Sequence, residues 1–294
     1  MIADAILDAL AEVLGRRPVL QGQQAVGGGC INEAQRLDTD AGRFFVKTNE
    51  AALLPMFEAE AEGLRELAAA EAIRVPEPLA TGTAAGWAFL VMEYLPTGPG
   101  KSDAAARMGR ELAEMHRHTA ARFGWHRDNT IGSTPQPNAW HSDWIAFWRE
   151  RRLGHQLNLA ARHGAPRILV DKGRRLEEGL DAFFSDYTPV PSVLHGDLWS
   201  GNAAFTAKGE PVIFDPAVYY GDREADLAMT ELFGGFAAPF YDAYREAWPL
   251  DPGYPVRRTL YNLYHILNHF NLFGGGYASQ AQRMTEQLLA ELAA

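Results

Sequence analysis

Two segments hold the residues with the clearest capacity for chemistry. They are Leu194-His195-Gly196-Asp197-Leu198-Trp199-Ser200-Gly201-Asn202 and Val212-Ile213-Phe214-Asp215-Pro216. Asn202 follows Asp197 by five residues, and Asp215 follows Asn202 by thirteen. A carboxylate such as Asp197 can orient a hydroxyl group and accept its proton. An amide oxygen and a second carboxylate are hard donors suited to Mg²⁺. This set could move a phosphoryl group onto an alcohol, a reaction governed by positioning and charge stabilisation.

Such groups need elements to carry them. Val212-Ile213-Phe214 predicts a strand that delivers Asp215. Upstream, Gly27-Gly28-Gly29-Cys30 lies between two strand-like runs, where glycines let the backbone come close to phosphates. Lys47 ends the apolar Phe44-Phe45-Val46 and would hold the α- and β-phosphates of ATP. Its expected ion-pair partner is Glu60. That residue stands four before Leu64 and seven before Leu67 and so shares their helix face. Glu58 and Glu62 are expected to be solvated. Met92-Glu93-Tyr94-Leu95 reads as a hinge, with main-chain groups of Glu93 and Leu95 meeting adenine. The order of parts is that of protein-kinase-like phosphotransferases. Gly196 replaces the Arg of their His-Arg-Asp, so control through an activation-loop phosphate is not expected.

The fold class expected is α+β: a bilobal protein-kinase-like fold with a β-rich N-terminal lobe, 1–95, and a mainly helical C-terminal lobe, 96–294. The first lobe reads as a helix over 2–14, strands near 19–26, 32–38 and 43–47, a helix over 54–72 and a strand over 87–95. Pro96 to Gly100 punctuates the boundary. Helices are predicted over 103–119, 141–163, 167–185, 224–233, 239–247, 255–272 and 278–292. Gly100-Lys101-Ser102 imitates a P-loop, but Leu95 stands where that motif needs Gly.

Other clusters have plainer readings. Trp140, Trp144 and Trp148 repeat every four residues, as a helix core does, though one ring could edge a substrate pocket. His265 and His269 are four apart without the intervening Glu of a metalloprotease, which favours packing or a substrate pocket over zinc. Asp222-Arg223-Glu224 and Asp226 fit either a solvated helix start or a support for the active site.

The 294 residues are 47% apolar and 22% charged, with a formal net charge of −10. No basic stripe suggests nucleic acid. No run is long and apolar enough for a membrane span. Met1 to Leu14 carries acids and lacks the features of a secretory signal. With Cys30 the one cysteine, an internal disulfide is impossible, and a cytoplasmic enzyme is expected.

The chain resembles the fructosamine kinase (ketosamine 3-kinase) family, relatives of aminoglycoside and choline phosphotransferases. The resemblance runs through Gly27 to Asn32, Phe45-Val46-Lys47, Met56 to Glu60, Gly124-Trp125-His126-Arg127-Asp128-Asn129 and Pro135-Gln136-Pro137-Asn138. It continues through His195 to Asn202, Tyr219 to Met229, Leu232 to Phe236 and Asn268-His269-Phe270. It implies ATP- and Mg²⁺-dependent phosphorylation of the sugar 3-hydroxyl of a small-molecule ketosamine or glycated amine, after which the 3-phosphate decomposes and frees the amine. Bacterial and plant members resemble ribulosamine and erythrulosamine kinases. Asp197 would be the base, Asn202 and Asp215 the metal ligands, and Trp199, Asp128 and His269 would lie near the acceptor pocket with the segments 124–129 and 135–138. Many members carry a cysteine in the glycine loop, which implies redox sensitivity at Cys30 and a disulfide-linked homodimer. A kinase for another hydroxylated small molecule and a non-catalytic nucleotide-binding regulator are the alternatives; the intact Asp197, Asn202, Asp215 and Lys47 argue against the second.

Overall fold

The computed structural model describes residues 2–27 and 31–293. Alternation of side chains along two strands sets up the first lobe. Helix α1 (Ile2–Leu14) covers one face of a five-stranded antiparallel sheet. Its strands are β1 (Leu20–Ala25), β2 (Glu33–Thr39), β3 (Gly42–Glu50), β4 (Pro78–Ala84) and β5 (Trp87–Glu93), in the order β1-β2-β3-β5-β4. On β3 and β5, Phe44, Val46, Phe89 and Val91 meet Ile6 and Leu10 of α1. The alternate residues Ala88, Leu90 and Met92 face the other way, with Phe57, Leu64 and Leu67 of helix α2 (Leu54–Ala68). The same alternation turns Lys47 away from α1 and toward α2.

Two departures from the sequence reading lie here. The strand β4 is not announced by Pro76 and Pro78. Pro78 is its first residue, and β4 pairs on one side only, a place where proline is tolerated. Helix α2 stops at Ala68, short of 72.

Beyond the hinge, β6 (Thr97–Gly98) pairs with β10 (Ala203–Thr206), which pairs in turn with β11 (Pro211–Ile213). Helix α3 (Ala104–Met115) follows, then a hairpin of β7 (Asn129–Ile131) and β8 (Thr134–Gln136). The expected helix 141–163 is broken. Asp143 caps α4 (Trp144–Phe147) by accepting from the Ala146 amide, a π-helical turn spans Trp148–Leu153, and α5 runs Gly154–Arg162. Trp144 and Trp148 are core residues, as their spacing suggested. Helix α6 (Arg167–Glu178) leads to β9 (Ser192–Leu194), which pairs with β12 (Tyr219–Gly221). Helices α7 (Glu224–Leu232), α8 (Ala238–Ala247), α9 (Tyr254–Phe273) and α10 (Tyr277–Glu291) complete the chain. The large core is continuous from α2 and β5 to α10. Among the described residues, no helix is long and apolar enough to cross a membrane.

Candidate active site

Lys47 is 5% exposed at the inner face of β3. Its Nζ donates to Glu60 Oε1 at 2.5 Å and to Asp215 Oδ1 at 2.6 Å. Burial alone would push the ammonium pKa down. Asp215 and Glu60 more than offset that and hold it raised, so Lys47 stays charged. A buried ion pair of this kind adds little net stability, but it fixes where the lysine points. Glu60 thus stands where its helix face placed it. Glu62 does not stand free in solvent as expected. Its two oxygens are engaged by His126 and Arg127 of the other lobe.

Asp215 lies just beyond β11 and adopts φ +58°, a left-handed conformation that Asp tolerates better than most residues. The strain is held by the segments on either side. The Phe214 amide donates to Asn202 O, and the Phe214 carbonyl accepts from His195 Nε2 at 2.8 Å. That bond sets the histidine tautomer. Nε2 carries the proton, and Nδ1 accepts from the Asp197 amide at 3.2 Å.

The loop between β9 and β10 carries the other two groups. Asn202 Nδ2 donates to the Asp197 carbonyl at 2.8 Å, which leaves Oδ1 uncommitted to Asp197. Desolvation, followed by the negative charges of Asp215 and Asp226, pushes the Asp197 carboxyl up to about 7, and Asn202 works against this.

Asp226, on α7, anchors the loop from behind. It accepts from the His195 amide at 2.7 Å, from the Gly196 amide at 2.8 Å and from His116 Nε2 at 3.1 Å. Tyr244 OH meets the other ring nitrogen of His116 at 2.8 Å. Of the two readings left open for the acidic cluster, the buried support is the one seen: Asp222, Glu224 and Asp226 are all buried. His116 was missed. A histidine near a helix end carries no signal until its partner, 110 residues away, is known.

Gly196 has φ +84°, and a Cβ there would fall 2.0 Å from Ala217 O. Glycine is therefore required on two counts. Gly196→Ala is expected to abolish turnover and lower the unfolding midpoint. Wild-type kcat in a purified, folded Gly196→Ala protein would refute this account of the loop.

The remaining expected site residues divide. Trp199 is 38% exposed, and its ring lies 6.2 Å from that of Phe233, which lies 4.8 Å from His269. These three form an aromatic edge at the loop between β9 and β10. His265 is buried, and its pKa is pushed down to about 3 by burial and then by His269. It is neutral and belongs to the packing. Asp128 is spent on the β7–β8 hairpin, where Oδ1 accepts from the Asn138 amide at 2.7 Å. The hydrogen bonds of 124–129 and 135–138 run to α2, to Arg152 of the π-helical turn, to His155 of α5, to Tyr264 of α9 and to the segment after Asp215. The Glu93 amide is committed to Glu77 O at 2.8 Å, and its carboxylate meets Arg74. That leaves Leu95, in the open link after β5, as the freer main-chain donor at the hinge. Gly27 is exposed just past β1. The far arm of its loop is tied down by Asn49, whose Nδ2 donates to Ile31 O and to Asn32 Oδ1. Gly28, Gly29 and Cys30 lie outside the described residues, and with Cys30 the basis for a disulfide-linked homodimer.

A model of the family described as fructosamine kinase matches residues 2–291. The chain belongs to the fructosamine kinase family. It is 50% identical over 289 residues to a probable ketoamine kinase of Synechocystis, covering 97% of this chain and 96% of that one. It is 48% identical over 273 residues to the chloroplastic protein-ribulosamine 3-kinase of Arabidopsis thaliana, covering 92% and 83%. A crystal structure from Thermobifida fusca, named as a candidate fructosamine-3-kinase, superposes with a TM-score of 0.85 at 32% identity over 98% and 99% of the chains. An aminoglycoside phosphotransferase bound to ADP and hygromycin B shares the fold at a TM-score of 0.64, 15% identity and 99% of each chain. The bilobal protein-kinase-like fold is thus shown, and family membership makes ATP the co-substrate.

Proposed function

We propose that this protein transfers the γ-phosphoryl group of ATP to the 3-hydroxyl of a ketosamine, releasing the amine by decomposition of the 3-phosphate. The observation that supports this most is convergence. Residues as far apart as Lys47 and Asp215, 168 positions, meet at one nitrogen in a chain that matches the family almost end to end.

In this reading Asp197 orients the sugar hydroxyl and takes its proton. Lys47, held by Glu60, steadies the phosphates. Trp199 and His269, with Phe233 between them, edge the acceptor. The donor set fits Mg²⁺. Asp215 keeps one carboxylate oxygen beyond its bond to Lys47, and Asn202 keeps its carbonyl oxygen. Among the described residues, no cluster of three or more His, Cys, Asp or Glu could hold a metal without help. Mg²⁺ commonly binds through one or two protein oxygens with the rest from phosphate and water. When bound, it would neutralise charge on the phosphates.

The test is ATP consumption with Mg²⁺ across ribulosyl-, erythrulosyl- and fructosyl-amines, aminoglycosides and choline, with NMR to find the phosphorylated position. Transfer to a ketosamine 3-hydroxyl is expected. Turnover only with an aminoglycoside or amino alcohol would replace the proposal with a different small-molecule kinase.

A further inference from the structure

We propose that helix α2 is fixed in its working position by a clamp from the C-terminal lobe, and that Glu62, Gly63 and Arg127 are positioning residues for phosphoryl transfer. The inference rests on the reading of Lys47, Glu60 and Asp215 as phosphate and metal machinery.

The clamp has a polar and a steric part. Arg127 Nη1 donates to Glu62 Oε1 at 2.7 Å, and His126 Nε2 meets Glu62 Oε2 at 2.8 Å. One turn further along α2, Tyr220 OH donates to Glu66 Oε1 at 2.5 Å. Between these contacts, Gly63 lets α2 touch the chain just past Asp215. A Cβ at Gly63 would lie 3.0 Å from Val218 Cγ2 and 3.8 Å from Pro216 Cγ. The hairpin that follows Arg127 holds that same stretch. Asn129 Nδ2 donates to Val218 O at 2.8 Å, and Gln136 Nε2 to Ala217 O at 3.1 Å.

The hairpin itself is rigidly seated. Tyr264 OH donates to Gln136 Oε1 at 2.6 Å. Arg152, fully buried, donates to Asn138 Oδ1 and Pro137 O, each at 2.7 Å.

Glu60 is two residues before Glu62, and Asp215 is two before Ala217. Both carboxylates on Lys47 are therefore borne by segments that one hairpin grips. A half-exposed ion pair adds little to global stability. A displacement of about 1 Å near a reacting group, however, can cost on the order of 10²-fold in rate. Catalysis should therefore respond to the clamp much more than folding does.

The experiment uses the full chain, with ATP, Mg²⁺ and the best ketosamine from the panel. Gly63→Leu is the wedge. Leucine favours a helix over glycine, so the helix itself is not weakened. Its kcat is expected to fall by about 10²-fold with the acceptor KM little changed, and Val218→Ala in the same chain should restore most of the loss by making room. Glu62→Gln, which keeps shape and removes charge, should lower kcat several-fold. In a Glu60→Gln background Glu62→Gln should cost nothing further, because it acts through Glu60. Wild-type kcat in both Gly63→Leu and Glu62→Gln overturns the clamp. So does a Glu62→Gln loss that multiplies with Glu60→Gln, or a Gly63→Leu loss that follows a lowered Tm and is not recovered by Val218→Ala. Lys47→Ala and Asp215→Ala separate the two readings. If they leave transfer intact, the assignment of the site fails and the clamp with it. If they abolish transfer while Gly63→Leu does not, the clamp alone fails.

Discussion

Asp197→Asn is expected to cut kcat by roughly 10²–10⁴-fold, the range a positioned general base supplies, with ATP affinity close to wild type. In the proposed mechanism the two effects separate, because Asp197 would act on the acceptor hydroxyl while Lys47 and Asp215 would serve the nucleotide. The substitution keeps the shape and leaves the main-chain bond from Asn202 to residue 197 in place. The same residue sets the pH dependence. Its carboxyl is raised to about 7 by desolvation and by Asp215 and Asp226. A base must be deprotonated to act, so kcat/KM should climb with pH on the acid side. A cation at Asp215 would offset one of the charges that raise Asp197, so the climb should shift to lower pH as Mg²⁺ is increased. Stopped assays from acid to neutral pH at two Mg²⁺ concentrations would show this. An Asp197→Asn enzyme that turns over at the wild-type rate would remove Asp197 from the chemistry.

Asp226→Ala is expected to destabilise the fold by about 3–5 kcal/mol, the cost of breaking a buried polar pair from one side. The carboxylate is 1% exposed and is the acceptor for two backbone amides and one imidazole. Alanine would leave all three buried without a partner, and the loop bearing Asp197 would lose its anchor. Burial works to raise the Asp226 pKa, but His116, His195 and the Gly196 amide more than offset it and hold it below the usual carboxylate range. A depressed folded pKa means that its stabilisation is present at neutral pH and disappears as pH falls through the folded value. Urea unfolding of Asp226→Ala would measure the effect. A loss of less than about 1 kcal/mol, the size of an average substitution, would mean that the loop is held by other contacts.

Much of this arrangement is legible in the residues. The apolar stripe of α1 and the Leu64/Leu67 face of α2 follow a period, and a period can be read locally; β3 is announced by the apolar run Phe44-Phe45-Val46 that ends at Lys47. The Leu64/Leu67 face pairs Glu60 with Lys47. The Asp197, Asn202 and Asp215 spacing is also local: Asn202 and Asp215 flank the paired strands β10 and β11, and Asp197 is only five residues before Asn202. The hairpin from Asn129 to Gln136 has no such signature. Its strands are three residues each and the second carries Pro135, so no alternation announces it, and the Gly132-Ser133 pair at the turn is its one local signal. Glu62 looks like any exposed helix acid until Arg127, 65 residues on, is brought alongside. Asp226 could not be separated from a solvated cap, because its partners lie 31 and 110 residues back in the chain. Long-range polar contacts of this kind are properties of the packed molecule and not of any window of sequence.

The division of β3 and β5 between two cores also bears on how this protein can vary. Phe44, Val46, Phe89 and Val91 pack with α1 and Leu37, on the side of the sheet away from Lys47. Changes there can be compensated in α1 without shifting Lys47. Their neighbours on the same strands belong to the body that runs without a break to the last helix, where a change of volume is passed on to the catalytic groups. One strand therefore carries two rates of permissible drift, alternating residue by residue. Libraries meant to improve solubility or expression should be confined to the α1 side, where a poor choice loosens a helix and spares the reaction.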